Sequence, residues 1–170
     1  MIRRGFAPVV DARTRLLILG SLPGEASLAA GQYYANPRNA FWHLIGGVIA
    51  RDIATLTYDA RLKALTDAHI GLWDVIALAQ RDGSLDSAIR SAEAADLLGL
   101  VTGLPDLRAV AFNGGKAAKL GLRILAPQAT RLKLIVLPSS SPAHARPLSE
   151  KMQSWAILRS HLPDHPPEIP

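Results

Sequence analysis

Four short apolar runs decide what this chain can fold into: RLLILG (15–20), IGLWDVI (70–76), LRAVAFN (107–113) and LKLIVLP (132–138). Each is too continuously apolar for a strand with one wet face, so each reads as a strand buried on both sides. Stretches with helical spacing lie between them. In NAFWHLIGGVIARDI, Phe41, Leu44, Ile45, Val48 and Ile49 share one face. YDARLKALTDA (58–68), SAEAADLLGLVTGL (91–104) and KAAKLGLRIL (116–125) read as further helices. LSEKMQSWAILRSHL (148–162) closes the chain, with Met152, Trp155, Leu158 and Leu162 on one stripe. Strands that alternate with helices predict an α/β fold: a parallel sheet covered on both faces, with right-handed crossovers. In such sheets ligands bind outside the carboxyl ends of the strands. Those ends carry GSLPG, ALAQRDGSLD, NGGK and PSSSPAHA, all small or polar, which should converge on one cleft.

The 170 residues predict a single domain over 1–162, with an exposed lead-in at 1–14 and a loose Pro-rich tail, PDHPPEIP, at 163–170. The chain has no cysteine, which excludes disulfides, thiolate metal sites and iron–sulfur clusters. The N-terminus has no apolar signal segment, and no apolar run nears the roughly 18 residues of a spanning helix. These features predict a cytoplasmic protein that does not engage a membrane. Lys and Arg outnumber Asp and Glu by 19 to 14, and the sequence pI is about 10.0. A basic surface of this kind suits a nucleic-acid partner, although the excess is modest. P-loop, dinucleotide and HExxH patterns are missing, and the histidines are scattered, so neither cofactor nor metal is expected. A GxSxG elbow is missing as well, which speaks against a serine hydrolase.

Residues 18–42, ILGSLPGEASLAAGQYYANPRNAFW, leave the first strand, cross a long loop and enter a helix. Small residues let backbone N–H groups approach a ligand, and Tyr33, Tyr34, Asn36 and Asn39 bring stacking faces and amides. Asn39 directly before AFWHLIGG is also a good helix N-cap. Asn113 before Gly114-Gly115 can equally be a turn residue.

Three segments resemble the uracil-DNA glycosylase superfamily. GSLPGEAS after the first strand stands in the place of that superfamily's first motif. YYANPRNAFW is similar to the aromatic-Ala-x-Pro-x-Asn-x-Phe-Trp run of mismatch-specific uracil and thymine glycosylases. LPSSSPAHA stands in the place of the second superfamily motif. GLWDVIALAQRDGSLDSAI resembles the hypoxanthine-DNA (deoxyinosine) glycosylase branch. One departure matters: Leu22 stands where mismatch-specific enzymes carry a catalytic Asn in motif one. The hypoxanthine branch uses the Asn of the second run instead, here Asn39.

The resemblance implies a three-layer α/β/α fold around a four-stranded parallel sheet in the order 2-1-3-4. It also implies a metal-free, monofunctional enzyme that flips a deaminated base out of double-stranded DNA and hydrolyses its N-glycosidic bond. Asn39 would position the water. Gly20, Ser21 and Leu22 would offer backbone to the base, and Tyr34 (or Tyr33) would stack on it. Asn113 matches hypoxanthine, with its amide O facing N1–H and its NH2 facing O6, provided a neighbour fixes the amide. Ser139, Ser140 and Ser141 would grip phosphates, Pro142, Ala143 and His144 would fill the hole in the duplex, and Arg146 would add a phosphate contact. Arg81, Ser84 and Asp86 either touch the strand or brace the cleft, and Asp74 must be paired or lie near its strand's end. A monomer with DNA as its one partner is expected. Two rival readings remain: a G/U(T) mismatch-specific uracil/thymine glycosylase, and a catalytically silent binder of damaged or single-stranded DNA.

Overall fold

The structure, a computed structural model, describes residues 1–163; the predicted tail from residue 164 onward lies outside them. The chain opens with β1 (Ile2–Arg4) and β2 (Leu16–Gly20). Helices α1 (Glu25–Ala30), α2 (Phe41–Val48) and α3 (Tyr58–Asp67) follow, then strands β3 (Ile70–Asp74), β4 (Ile76–Gln80) and β5 (Arg90–Ala94). The second half runs α4 (Leu97–Thr102), β6 (Ala109–Asn113), α5 (Gly115–Leu125), β7 (Lys133–Leu137) and α6 (Leu148–Trp155).

The four apolar runs form one parallel sheet in the order β3-β2-β6-β7, the predicted 2-1-3-4. Alternation along β2 shows why it reads as continuously apolar. Leu16 and Ile18 join a core with α2, α3 and α6, whereas Leu17 and Leu19 join a second core with α4 and α5. Each face of the sheet is sealed by its own helical layer, giving three layers. The predicted face of α2 is buried through Phe41, Leu44, Ile45 and Val48, with Ile49 just beyond its end. The closing helix keeps Trp155 and Leu158 fully buried, but Met152 is exposed and the last turns tighten to 3-10 geometry over Ala156–His161.

A second, antiparallel sheet, β1-β4-β5, was not expected from the sequence. The lead-in, expected only as an exposed segment, is paired: Ile2 pairs with Gln80, Arg4 with Leu78, and Val9 bridges Leu72. The run 70–76 is not one strand. It leaves the main sheet after Asp74, where the Val75 N–H donates to the Gly20 carbonyl, and continues as β4 in the small sheet. The segment 91–104 is not one helix either. Arg90–Ala94 pairs with β4 as an exposed strand, and the Asp96 carboxylate, accepting from the Gly99 N–H at 3.0 Å, starts α4 anew. Pairing partners here override the helix preference of Ala and Glu.

Candidate active site

The carboxyl ends of β2, β3 and β6 and the segment after β7 meet, as parallel strands require. The centre of the meeting is Asn113, the last residue of β6, buried at 7% exposure. Its Oδ1 accepts from the Ser140 N–H at 2.8 Å. Its Nδ2 donates to Ser140 Oγ at 2.8 Å and to the Tyr34 hydroxyl at 3.2 Å. Three bonds fix which way the amide faces, and both of its N–H protons are spent. The same serine gathers the second run, because the Ala40 N–H donates to the Ser140 carbonyl at 3.0 Å. Residues 34–40, 113 and 140 are thereby one hydrogen-bonded unit.

Tyr34 sits at φ 52, left-handed backbone that a bulky residue adopts only under constraint. Its ring stacks on Phe41 at 3.9 Å and 14°, and Trp42 Nε1–H holds its carbonyl at 3.1 Å. Burial and the nearby Asp74 push its phenol up, so it stays protonated at any physiological pH. Tyr33 is different. It is buried, its hydroxyl donates to the Ala7 carbonyl, and its ring packs edge-on against Phe6. Of the two tyrosines, Tyr34 is the one tied to the strand ends.

Asn39 lies two residues before α2, and the helix cap falls on Ala40 instead of on Asn39, with no side-chain cap bond. Asn39 Oδ1 accepts from the Phe41 N–H at 3.0 Å, an Asx turn that leads the chain into the helix. One oxygen lone pair and the amide N–H groups remain for another partner.

The turn after β2 is clamped from the other side. Ser21 Oγ donates to Asp86 at 2.6 Å, Ser84 Oγ accepts from the Glu25 N–H at 2.8 Å, and the Arg81 guanidinium donates to the Pro23 carbonyl. Arg81, Ser84 and Asp86 therefore brace the turn. Ser21 and Leu22 are buried, yet neither backbone N–H has a hydrogen-bond partner among the described residues. Backbone N–H groups left without a protein partner beside a strand end are available to a ligand. At Gly20 a side chain has no room: a Cβ would lie 2.6 Å from Asp74 Oδ1 and 3.0 Å from the Tyr34 hydroxyl.

The serine run divides. Ser140 faces inward at 1% exposure, its hydroxyl engaged by Asn113. Ser139 and Ser141 are half-buried and shape the loop: Ser139 Oγ accepts from the Ser141 N–H, and Ser141 Oγ from the Ala143 N–H. Pro142, Ala143, His144 and Arg146 are exposed. Lys151 of α6, itself buried, donates to the Ser141 carbonyl at 3.2 Å and supports this projection from below.

Asp74 is the residue that sequence reasoning undervalued. It ends β3, paired with Gly20, at 5% exposure. Burial first, then the charge of Asp86, pushes its carboxyl up from the ordinary 3.8 to about 7, with Arg81 opposing. Between those values the folded chain keeps a proton that the unfolded chain gives up, so stability falls as pH rises from about 4 to about 7 and levels off above that. Asp74→Asn removes this dependence. The melting temperature of the variant should gain on the native chain by roughly 5 °C between acid and mildly alkaline buffer, measured by calorimetry at each pH.

Two surface concavities of about 310 and 210 Å³ border Met152 and α2 and share only Trp42 with this cluster. Among the described residues no group of acidic or His side chains could hold a metal ion, and no helix is long and apolar enough to cross a membrane.

The model of the uracil DNA glycosylase superfamily matches residues 7–159. A hypoxanthine DNA glycosylase of Methanosarcina acetivorans is 42% identical over 161 residues, covering 95% of this chain and all of that one. A protein of the same description from Methanosarcina barkeri is 40% identical over 156 residues, 92% of this chain and 97% of its own length. A solution NMR structure of a candidate uracil DNA glycosylase from Methanosarcina acetivorans superimposes with a TM-score of 0.84 at 41% identity. It covers 95% of this chain and 98% of that one.

Proposed function

The chain belongs to the uracil DNA glycosylase superfamily, and from that premise we propose that it is a monofunctional DNA repair glycosylase that releases hypoxanthine from DNA. The observation that carries the reading is the bonded unit of Tyr34, Ala40, Asn113 and Ser140 at the carboxyl end of the parallel sheet. The names of the two Methanosarcina relatives support hypoxanthine over uracil.

A base inside a duplex is out of reach, so it must be flipped into the cleft. The bond between the base nitrogen and the sugar carbon breaks, its electron pair leaves with the base, and positive charge builds on the sugar. Water adds to that carbon. Its oxygen becomes the sugar hydroxyl, its proton ends on the base or in solvent, and an abasic site remains. Asn39 holds the water through its free amide positions. The unpartnered N–H groups of Ser21 and Leu22 stabilise the charge that develops on the base. Gly20 permits close approach, Tyr34 supplies the stacking face, and Asn113 fixes Tyr34 and the serine loop at the wall of the base pocket. Ser139, Ser141 and Arg146 take phosphates, Ser140 anchors their loop, and Pro142, Ala143 and His144 enter the space the base vacates. One domain over 1–162, acting as a monomer in the cytoplasm, completes the proposal.

Duplexes carrying one hypoxanthine, uracil or xanthine, treated with the native chain and then hot alkali, test the reading. Strand scission at hypoxanthine is the expected result. Scission only at G·U pairs would replace it with the mismatch-specific enzyme. Salt-dependent binding without scission on any duplex would make the chain a silent DNA binder.

A further inference from the structure

Nothing in the mechanism above reads the edge of the base. Hypoxanthine presents a lactam edge, N1–H as donor beside O6 as acceptor, and selection by that edge needs a matching acceptor and donor side by side. Asn113 has the right chemistry, but its Nδ2 protons go to Ser140 Oγ and the Tyr34 hydroxyl and its Oδ1 to the Ser140 N–H. A bidentate contact with a base would break this set. Asp74, the last residue of β3, is another polar side chain at these strand ends. Its Oδ1 lies against Gly20, where the Tyr34 hydroxyl also crowds in. Its Oδ2 is buried and has no hydrogen-bond partner among the described residues. A buried carboxyl oxygen with nothing to bond is costly unless it awaits a ligand.

Resting on the hypoxanthine reading, we propose that Asp74 is the specificity-determining residue: as a neutral acid, its carbonyl oxygen accepts from N1–H while its hydroxyl donates to O6. A carboxylate could accept from N1–H but would repel O6, so the neutral form is the competent one. The charged and titratable groups around it favour that form. Asp86, on the bracing loop, works against a second negative charge, and Arg81 after β4 opposes it. Tyr33 and Tyr34, before α2, stay neutral beside it, their phenols raised by burial and by Asp74 itself. The preference of a carboxyl near 7 is thus for the acid form at and below neutrality. Keeping an acid neutral so that it can donate is an established use of a buried carboxyl.

The experiment is single-turnover base release from two duplexes, one with hypoxanthine and one with unsubstituted purine, which lacks both O6 and N1–H. Native chain, Asp74→Ala and Asp74→Asn are compared on both sides of neutrality. Asp74→Ala should lower the hypoxanthine-to-purine rate ratio by about 10²-fold, because the edge loses its partner. The native rate on hypoxanthine should fall as pH rises through about 7. Asp74→Asn carries the same donor–acceptor pair without a proton to lose. It should restore most of the ratio and flatten that fall, a result that a merely structural role would not give. An unchanged ratio in Asp74→Ala overturns the proposal. So does an Asp74→Asn profile that superimposes on the native one, which decides the matter even if Asp74→Ala does not fold. A native chain that releases no hypoxanthine removes both this inference and the function it rests on, whereas native release with an unchanged ratio removes the inference alone.

Discussion

Asn39→Ala is expected to abolish base excision, by about 10²–10³-fold in single-turnover rate, while leaving DNA binding in place. The turn has to be separated from the chemistry. Asn39 Oδ1 accepts from the Phe41 N–H in an Asx turn, and losing such a bond costs about 1 kcal/mol. Helix α2 is otherwise held by Phe41, Trp42, Leu44, Ile45 and Val48, all buried, so that cost leaves the fold intact. A rate loss of the expected size with a melting temperature within a few degrees of native is catalytic in origin. Asn39→Asp sharpens the comparison: it keeps an oxygen for the turn and one for the water, and should lose less than Asn39→Ala. Excision by Asn39→Ala within about threefold of native would leave Asn39 as a turn residue only.

What the sequence disclosed, and what it hid, follows from which interactions are local. β2 and β6 were legible because both of their faces are buried, so every position but the terminal Asn113 is apolar or glycine and no helix period competes. The α2 face was legible for the opposite reason: its buried and exposed residues follow one helical period. β5 was hidden. Arg90–Ala94 is exposed at every position and rich in helix formers, and only β4 lying alongside makes it a strand. The break after Asp74 was hidden in the same way, since IGLWDVI is apolar on both sides of that one acid while the chain changes sheets within it.

The site divides along the same line. That Tyr34, Asn39, Asn113 and the serine run belong together could be inferred from their places at strand ends. That Ser140 turns inward while Ser139 and Ser141 stay at the surface could not, because three identical residues differ only in what they meet. Tyr33 and Tyr34 are separated by the carbonyl of Ala7 and the amide of Asn113, partners far away in the chain. Asp74 was conspicuous in sequence as an acid in an apolar strand. The role proposed for it rests on Asp86, Arg81 and an Oδ2 with no partner among the described residues, which only the fold brings together.

Asn113→Ala is the second substitution with a large expected effect, and on stability as much as activity. The truncation removes three hydrogen bonds at once and leaves the Ser140 N–H buried with no acceptor. An unpaired buried donor and a small cavity together cost about 3 kcal/mol, or roughly 8 °C in melting temperature for a chain of this size. Hypoxanthine release should fall too, because the tether on the Tyr34 hydroxyl goes with the amide and the Ser140 loop loses its fixed register. The claim that these residues act as one unit is stronger than either loss. Ser140→Ala removes only the hydroxyl contact and keeps the backbone donor for Asn113 Oδ1, so alone it should cost about 1 kcal/mol. Once Asn113 is already alanine, that hydroxyl has no amide left to meet, and Ser140→Ala should cost almost nothing further. A double-mutant cycle from urea unfolding reads the coupling directly. If the two costs simply add, Asn113 and Ser140 are neighbours rather than a unit, and the joining of the strand end to the serine loop must be sought in the Ala40–Ser140 backbone bond instead.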